Sequence, residues 1–353
     1  MADLKPLIRD RTYLKHFWHP VCTLKQLEQN SPEGNGPFAA TLLDEDIVIA
    51  RLGDELVALR DQCAHRLAKL SVGLVVGGKL QCPYHGWQYE AEGNCVHIPA
   101  CPDEKIPARA VTEKYDCAVK YNLVWVRLDR SWDCTEIPYC SAWENPEYKR
   151  VIVPDPYSWD SSAERRWENF TDFSHFAFVH PGTLYDPAYK EPEIVDIDRE
   201  GGELRFKLEP GREMIDNLPP DSPLGSFSYR AAMPYTINLE IHLYQNDKPF
   251  LLWTTSSPVS ENICRNFMVI AHTDTDAPDD QPVGFQKIVL AEDQPVIESQ
   301  PGSLYIGEIS LPTDKISNQY RRWLRELSEA AVSGEEAFRK SLQTDVIESG
   351  ESS

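Results

Sequence analysis

No run of about 18 apolar residues, the length a helix needs to cross a bilayer, occurs in the chain, so a spanning helix is not expected. A secretory apolar core is missing as well. Asp3, Lys5, Arg9 and Asp10 interrupt every apolar start near the N-terminus, and a cytoplasmic home is the expectation. Basic blocks are also absent. Lys and Arg number 35 against 56 Asp and Glu, a formal net charge of −21. Such a surface repels polyanions, so neither nucleic acid nor an anionic membrane is an expected partner. Nine cysteines are present, an odd number, and in a chain of this kind a disulfide framework is the poor reading. Metal ligation by some and plain burial of the rest fits better, with Cys95 and Cys101 read as structural.

What is there suits one or two globular domains in 353 residues, 41% of them hydrophobic and 26% charged. Residues 35 to 130 read as β-rich: Thr41-Leu42-Leu43, Ile47 to Ala50, Leu56 to Leu59 and Leu123 to Val126 are short apolar segments set apart by Gly, Asp, Asn and Pro. The Pro-rich, aromatic stretch Ile137 to Tyr157 reads as a linker. Ser161 to His180 is a helix-compatible run holding Trp167, Phe170, Phe173 and Phe176. Strand-like segments return at Leu204 to Leu208, Thr236 to Leu243, Leu251 to Thr255 and Asn266 to Ala271. Two helical patterns follow. One holds Phe285, Ile288 and Val289; the other carries the stripe Tyr320, Trp323, Leu324, Leu327. The polar tail Glu348 to Ser353 is expected to fray.

Two constellations carry chemistry. Cys63-Ala64-His65 and Cys82-Pro83-Tyr84-His85 each pair one thiol with one imidazole. Two Cys and two His suit either a zinc site or a Rieske [2Fe–2S] cluster, in which two His replace two Cys on one iron. Zinc fingers usually place a Cys pair before a His pair. Here each loop supplies one of each, so both Cys can hold one iron and both His the other. Gly86-Trp87 would add a tight backbone and an apolar lid. The second constellation lies in Trp167 to His180: Asp172 and His175 stand at i, i+3, a shared face if the segment is helical, and His180 precedes Pro181, where a helix should end. Two His and a remote carboxylate form the facial triad of non-haem Fe(II) oxygenases. Glu292-Asp293 is the best supplier of that carboxylate, and Asp293 is the choice.

Cys63-x-His65, Cys82-x-x-His85 and, about 90 residues on, Asp172-x-x-His175-x₄-His180 resemble the Rieske non-haem iron oxygenase family along essentially the whole chain. The stretches His16 to Thr23, Ala163 to Pro187 and Ala291 to Gln300 look like bacterial methylxanthine N-demethylases, and Leu252 to Thr255 with Cys264 to Met268 look like their N3-demethylating type. Ala64 stands where many members have Pro, a departure that removes no ligand atom. The resemblance implies an α+β fold: a β-rich Rieske domain with an N-terminal helical segment over residues 1–150, then a catalytic domain over 151–353 with a curved antiparallel sheet and helices around a mononuclear iron. It implies Cys63, His65, Cys82 and His85 as cluster ligands and His175, His180 and Asp293 as iron ligands. Asp172 matches the bridging Asp that relays electrons from a cluster His, here His85, to the iron of the next subunit in a trimer. It also implies O₂, a methylxanthine and a separate NAD(P)H-dependent reductase as partners, in a homotrimer or in a mixed hexamer with a related oxygenase. An N-methyl group is hydroxylated and the hemiaminal collapses to an N–H purine and formaldehyde.

If Asp293 lies in a helix beginning near Val283, then Gln286, Leu290 and Asp293 share one face at i, i+4 and i+7. Gln286 offers donors and an acceptor to a purinedione edge, and Leu290, Phe176 and Phe170 offer apolar surface to its ring. The nearest rival is a Rieske monooxygenase for another N-methyl or an O-methyl aromatic compound. A Rieske ferredoxin leaves roughly 200 residues without a task, and a zinc-stabilised binding module leaves Asp172, His175, His180 and Asp293 unexplained.

Overall fold

The computed structural model describes residues 5–30, 36–184, 193–209, 225–243, 250–273 and 278–343. The tail Glu348 to Ser353 and the end of the second family stretch, Tyr185 to Pro187, lie outside them. The class is mixed α+β, and the chain divides into two compact units. One comprises Leu14–Ile137 with Ser257–Ser260; the other comprises Met1–Tyr13, Pro138–Ser256 and Glu261–Ser353. The expected cut at 150 falls inside the strand Arg150–Ile152.

The first unit is built on a six-stranded antiparallel sheet, in the order His19–Thr23, Leu123–Arg127, Lys114–Lys120, Glu55–Arg60, Glu45–Leu52, Phe38–Leu42. The run Ile47-Val48-Ile49-Ala50 has no polar alternation because both faces of its strand are covered. Val48, Ala50 and Leu52 enter one core, while Ile47 and Ile49 enter another with Val21, Val124 and Val126. A smaller sheet, Leu74–Val76, Lys79–Gln81, Gln88–Tyr89, Cys95–His97, stands beside it. Cys63 follows the strand Glu55–Arg60, and Cys82 opens the loop between Lys79–Gln81 and Gln88–Tyr89. Both cysteines are buried in the first core with Leu70, Leu80 and Tyr89.

The second unit carries an antiparallel sheet in the order Arg150–Ile152, Ile263–His272, Phe250–Ser260, Thr236–Leu243, Gly225–Ala232, Glu203–Glu209, Glu193–Glu200; Tyr157–Trp159 also pairs with Ile263–His272. In Glu203–Glu209 the buried Leu204, Phe206 and Leu208 alternate with less buried Arg205 and Lys207. Ile137 to Tyr157 is therefore no mere linker. It holds the short helix Ser141–Glu144 and the strand Arg150–Ile152, and Val151 pairs with Ala271 at the sheet edge. Prolines at 138, 146, 154 and 156 mask that role in the sequence because they flank the strand rather than interrupt it.

Three helices position the candidate site. Ala163–Thr171 starts at Ser162, whose hydroxyl accepts the Arg165 N–H at 3.2 Å. It stops at Thr171, so the expected continuous helix to His180 is not formed; a separate short turn, Phe176–Val179, follows. The break has a local cause. Thr171 Oγ1 bonds back to the carbonyls of Trp167 and Glu168, and Asp172 Oδ1 accepts the Ser174 N–H at 2.8 Å, so side chains displace the helical ladder. Asp280–Glu298 begins earlier than Val283, with Pro282 tolerated in its first turn and Pro295 inside it. Lys315–Ser333 buries Tyr320, Trp323, Leu324 and Leu327, the expected stripe. Among the described residues no helix is long and apolar enough to cross a membrane.

Candidate metal centres

The first constellation converges as its spacing suggested. Cys63 and Cys82 are 1% and 2% exposed, whereas His65 is half-buried and His85 exposed, so the sulfurs lie inward and the imidazoles outward. The two imidazole centroids are 4.6 Å apart. Each loop closes on its own backbone: Cys63 N–H to Ala68 O and Leu67 N–H to Cys63 O, then Cys82 N–H to Trp87 O and Gly86 N–H to Cys82 O. Gly86 takes φ +73°, and a Cβ there would stand 3.0 Å from Pro99. Trp87 stacks on His65 at 4.7 Å and 2°, which gives the expected apolar lid a definite partner.

Electrostatics at this site act differently on the two kinds of donor. Burial raises the Cys82 thiol, while backbone N–H groups of Tyr84 and His85 work against that rise. Desolvation, then the neighbouring His85, holds His65 below its ordinary range. His65 Nδ1 is buried without a hydrogen-bond partner. Two thiols inside, two imidazoles outside and an orphaned ring nitrogen fit a Rieske cluster better than four residues satisfied by protein alone. Sequence reasoning missed Tyr89. Its hydroxyl accepts the Ala64 N–H at 3.0 Å and lies 3.1 Å from Cys63 Sγ, so the phenolic hydrogen is left to donate to that sulfur. Cys95 is buried and Cys101 exposed, and both are free thiols.

The second constellation also converges. His175, His180 and Asp293 form a group of donors that could hold one metal ion, with their ligand atoms all within 4.8 Å of one another. Asp293 Oδ1 lies 3.4 Å from His175 Nε2 and 3.1 Å from His180 Nε2. Metal bonds of about 2.1 Å at right angles would put neighbouring ligand atoms about 3 Å apart, close to what is seen. His180 Nε2 is buried and makes no hydrogen bond of good geometry. The donors fit a facial triad.

Each ring is held from behind by a carboxylate. His180 Nδ1 donates to Glu292 Oε2 at 2.7 Å, and Thr183 Oγ1 donates to Glu292 Oε1 at 2.8 Å. His175 Nδ1 faces Asp172 Oδ2 at 3.4 Å. Such partners fix the ring orientation and leave Nε2 for a metal. Burial opposes protonation of His175, but Asp172 and Asp293 outweigh it and raise its pKa to about 9. His180 is raised by Asp293 and Glu292, again against burial. Burial would raise Asp293, yet the imidazoles of His175 and His180 beside it hold it well below the usual carboxylate range. Glu292 thus sits in the site as an orienting group, next to the residue chosen as ligand. Asn169, also missed, donates from Nδ2 to Asp293 Oδ1 at 2.9 Å. Nothing in spacing alone marks either one.

Gln286 and Leu290 line one cavity of about 220 Å³ with Tyr157, Trp159, Met268 and Ile270. A second, polar cleft of about 250 Å³ reaches Asp293, His175, Asp172 and Asn169. Neither Phe170 nor Phe176 lines either cavity. Phe170 stacks on the Arg166 guanidinium at 5.0 Å, and Phe176 packs edge-on against His175 and His180 at 5.0 and 5.7 Å.

Comparisons with known proteins agree with this geometry. Residues 17–115 match the Rieske [2Fe-2S] domain family, and residues 159–330 match the vanillate O-demethylase oxygenase C-terminal domain family. Methylxanthine N3-demethylase NdmB of Pseudomonas putida is 56% identical over 351 residues, 98% of each chain. Methylxanthine N1-demethylase NdmA of the same organism is 52% identical over 97% of each chain. The solved structure of P. putida CBB5 NdmA with caffeine superposes with a TM-score of 0.90 at 51% identity, covering 97% of this chain and 99% of that one. The chain therefore belongs to the Rieske non-haem iron oxygenases, enzymes that carry a [2Fe–2S] cluster and a mononuclear iron and draw electrons from a separate reductase.

Proposed function

We propose that this chain is the oxygenase that removes the N3-methyl group of methylxanthines of the theobromine and caffeine type. The observation that carries the reading is the pair of preorganised donor sets in a chain 56% identical, end to end, to an N3-demethylase. Cys63 and Cys82 would hold the inner iron of the cluster, His65 and His85 the outer one, and His175, His180 and Asp293 the mononuclear Fe(II). Bound there, the two groups supply single electrons and O₂ activation. Each methyl removed consumes O₂, two electrons and two protons, and gives an N–H purine, formaldehyde and water.

The protein's own task is placement. Gln286, with amide donors and a carbonyl acceptor, is suited to a purinedione edge, and Leu290, in the same cavity, to the flat ring. Asp172 orients His175 and is our candidate for the electron relay. His85 is exposed beside Tyr84, Leu67 of the other loop is exposed as well, and the apolar Phe178, in the turn between His175 and His180, and Ile309, on the cleft of Asp172, are 84% and 89% exposed. These features support a homotrimer, or a mixed hexamer with a related oxygenase, in which the cluster of one copy meets Asp172 of the next. A nicotinamide-dependent reductase as electron source supports a cytoplasmic location. The match of residues 159–330 to an O-demethylase domain keeps O-methyl aromatics as the rival substrates.

Product analysis separates them. Iron-replete protein with a reductase and NADH should release formaldehyde with loss of the N3 methyl from theobromine, caffeine and theophylline, and none from a methoxybenzoate. Formaldehyde from methoxybenzoate alone would overturn the purine reading. Gln286→Asn combined with Leu290→Phe should change which methyl is lost; unchanged regiochemistry would remove these two residues from the pocket.

A further inference from the structure

Arg166 is a buried cation that neither metal motif explains. It is 2% exposed, and its guanidinium lies over the rings of Trp159, at 4.9 Å, and Phe170, at 5.0 Å. Its neighbour Arg165 pairs with Glu308. Arg166 instead gives its hydrogen bonds to two neutral groups: Tyr157 Oη, at 3.1 Å from Nη2 and 3.3 Å from Nε, and Asn169 Oδ1, at 3.3 Å from Nη1. A desolvated guanidinium without a carboxylate is costly, so a compensating role is expected.

The second link supplies one. An asparagine amide can be turned either way, and only one of its ends donates. Arg166 has donors alone, so it accepts only the Oδ1 end of Asn169 as its partner. The NH₂ end is thereby committed to Asp293 Oδ1, at 2.9 Å. With the amide reversed, a carbonyl oxygen would face the carboxylate and a donor would face the guanidinium. Both contacts would be repulsive.

We propose that Arg166 is a positioning residue that acts through Asn169 to hold Asp293 as an oriented, metal-ready carboxylate. This rests on reading His175, His180 and Asp293 as the iron site. Tyr157, the other anchor of Arg166, also lines the cavity of Gln286 and Leu290, so the chain Tyr157, Arg166, Asn169, Asp293 joins that cavity wall to the metal donors. The residue touches neither donor nitrogen, and its effect is expected in iron affinity and ligand geometry rather than in the cluster.

The test is anaerobic Fe(II) binding to full-length protein with an intact cluster, read by competition with a chelator and by the EPR signal of the ferrous nitrosyl adduct. Arg166→Met and Asn169→Ala should each weaken Fe(II) binding by about 10- to 100-fold and shift the nitrosyl signal, with the cluster spectrum unchanged. The double variant should be no weaker than the weaker-binding single variant, because one acts through the other. Arg166→Lys keeps the charge but not the planar fork and should fall between parent and Arg166→Met. Should Arg166→Met fail to assemble its cluster, the Lys variant and Asn169→Ala alone decide the matter. Affinities within about twofold of the parent, or losses that multiply in the double variant, would overturn the proposal. Asp293→Ala separates the two levels: loss of mononuclear iron keeps the site reading, whereas retained iron would discard that reading and this proposal with it.

Discussion

The two candidate metal sites hold similar donors in opposite ways. In the cluster site the ligands come from two short loops, and backbone hydrogen bonds within each loop set their direction. In the iron site the ligands come from a turn and a distant helix, and side chains set their direction: Glu292 behind His180, Asp172 behind His175, Asn169 against Asp293. A loop closed by its own backbone is robust to substitution of neighbouring side chains. A donor set aimed by carboxylates and an amide is not. The cluster site also turns its imidazoles outward, as an electron port requires, while His180 and Asp293 are almost wholly buried.

Substitutions behind the ligands should break this symmetry unevenly. The largest effect is expected for Asp172→Asn, which should keep both metals, judged by cluster absorbance and iron content, yet lower turnover by about 100-fold or more. Substantial remaining activity would end its role as relay. Glu292→Ala should come next, weakening Fe(II) binding about 10-fold while leaving cluster absorbance untouched; equal damage to both sites would mean a general folding role. A pH series sharpens the same contrast. In metal-free protein His175 holds its proton up to about 9 against an ordinary value of 6.5. Its contribution to stability is therefore complete below pH 6.5 and lost as pH rises through 9. Iron must displace that proton, so Fe(II) affinity should climb over the same window and level off above it. The smallest effect should come from Tyr89→Phe, which removes one hydrogen bond to Cys63 and should lower the cluster's reduction potential with no change in iron content. An unchanged potential would show that the hydroxyl does not bear on the sulfur.

The same contrast decides what could be read from sequence. Cys63-x-His65 and Cys82-x-x-His85 are local, and each ligand pair is joined by its own loop, so spacing alone brings them together. The strand runs were legible because apolar residues at 47–50 need cover on both faces. The Ser161 to His180 run was misread as one helix, since helical periodicity of its aromatics says nothing of Thr171 and Asp172 bonding back to the chain. The strand Arg150–Ile152 was hidden among flanking prolines, and its partner lies more than 100 residues away. Asn169 and Arg166, and the orienting role of Glu292 as against Asp293, were illegible for a further reason: each depends on which way one amide or carboxylate points in a three-dimensional arrangement.

The measurement that tests the account most directly is a single turnover without reductase. Chemically reduced, iron-replete protein is mixed with theobromine and O₂, and cluster oxidation and formaldehyde are followed together. The account predicts that both appear, with 7-methylxanthine as the purine product, and that the Asp293→Ala variant yields no formaldehyde. Formaldehyde from the variant without mononuclear iron, or cluster oxidation with intact iron and no purine product, would contradict it.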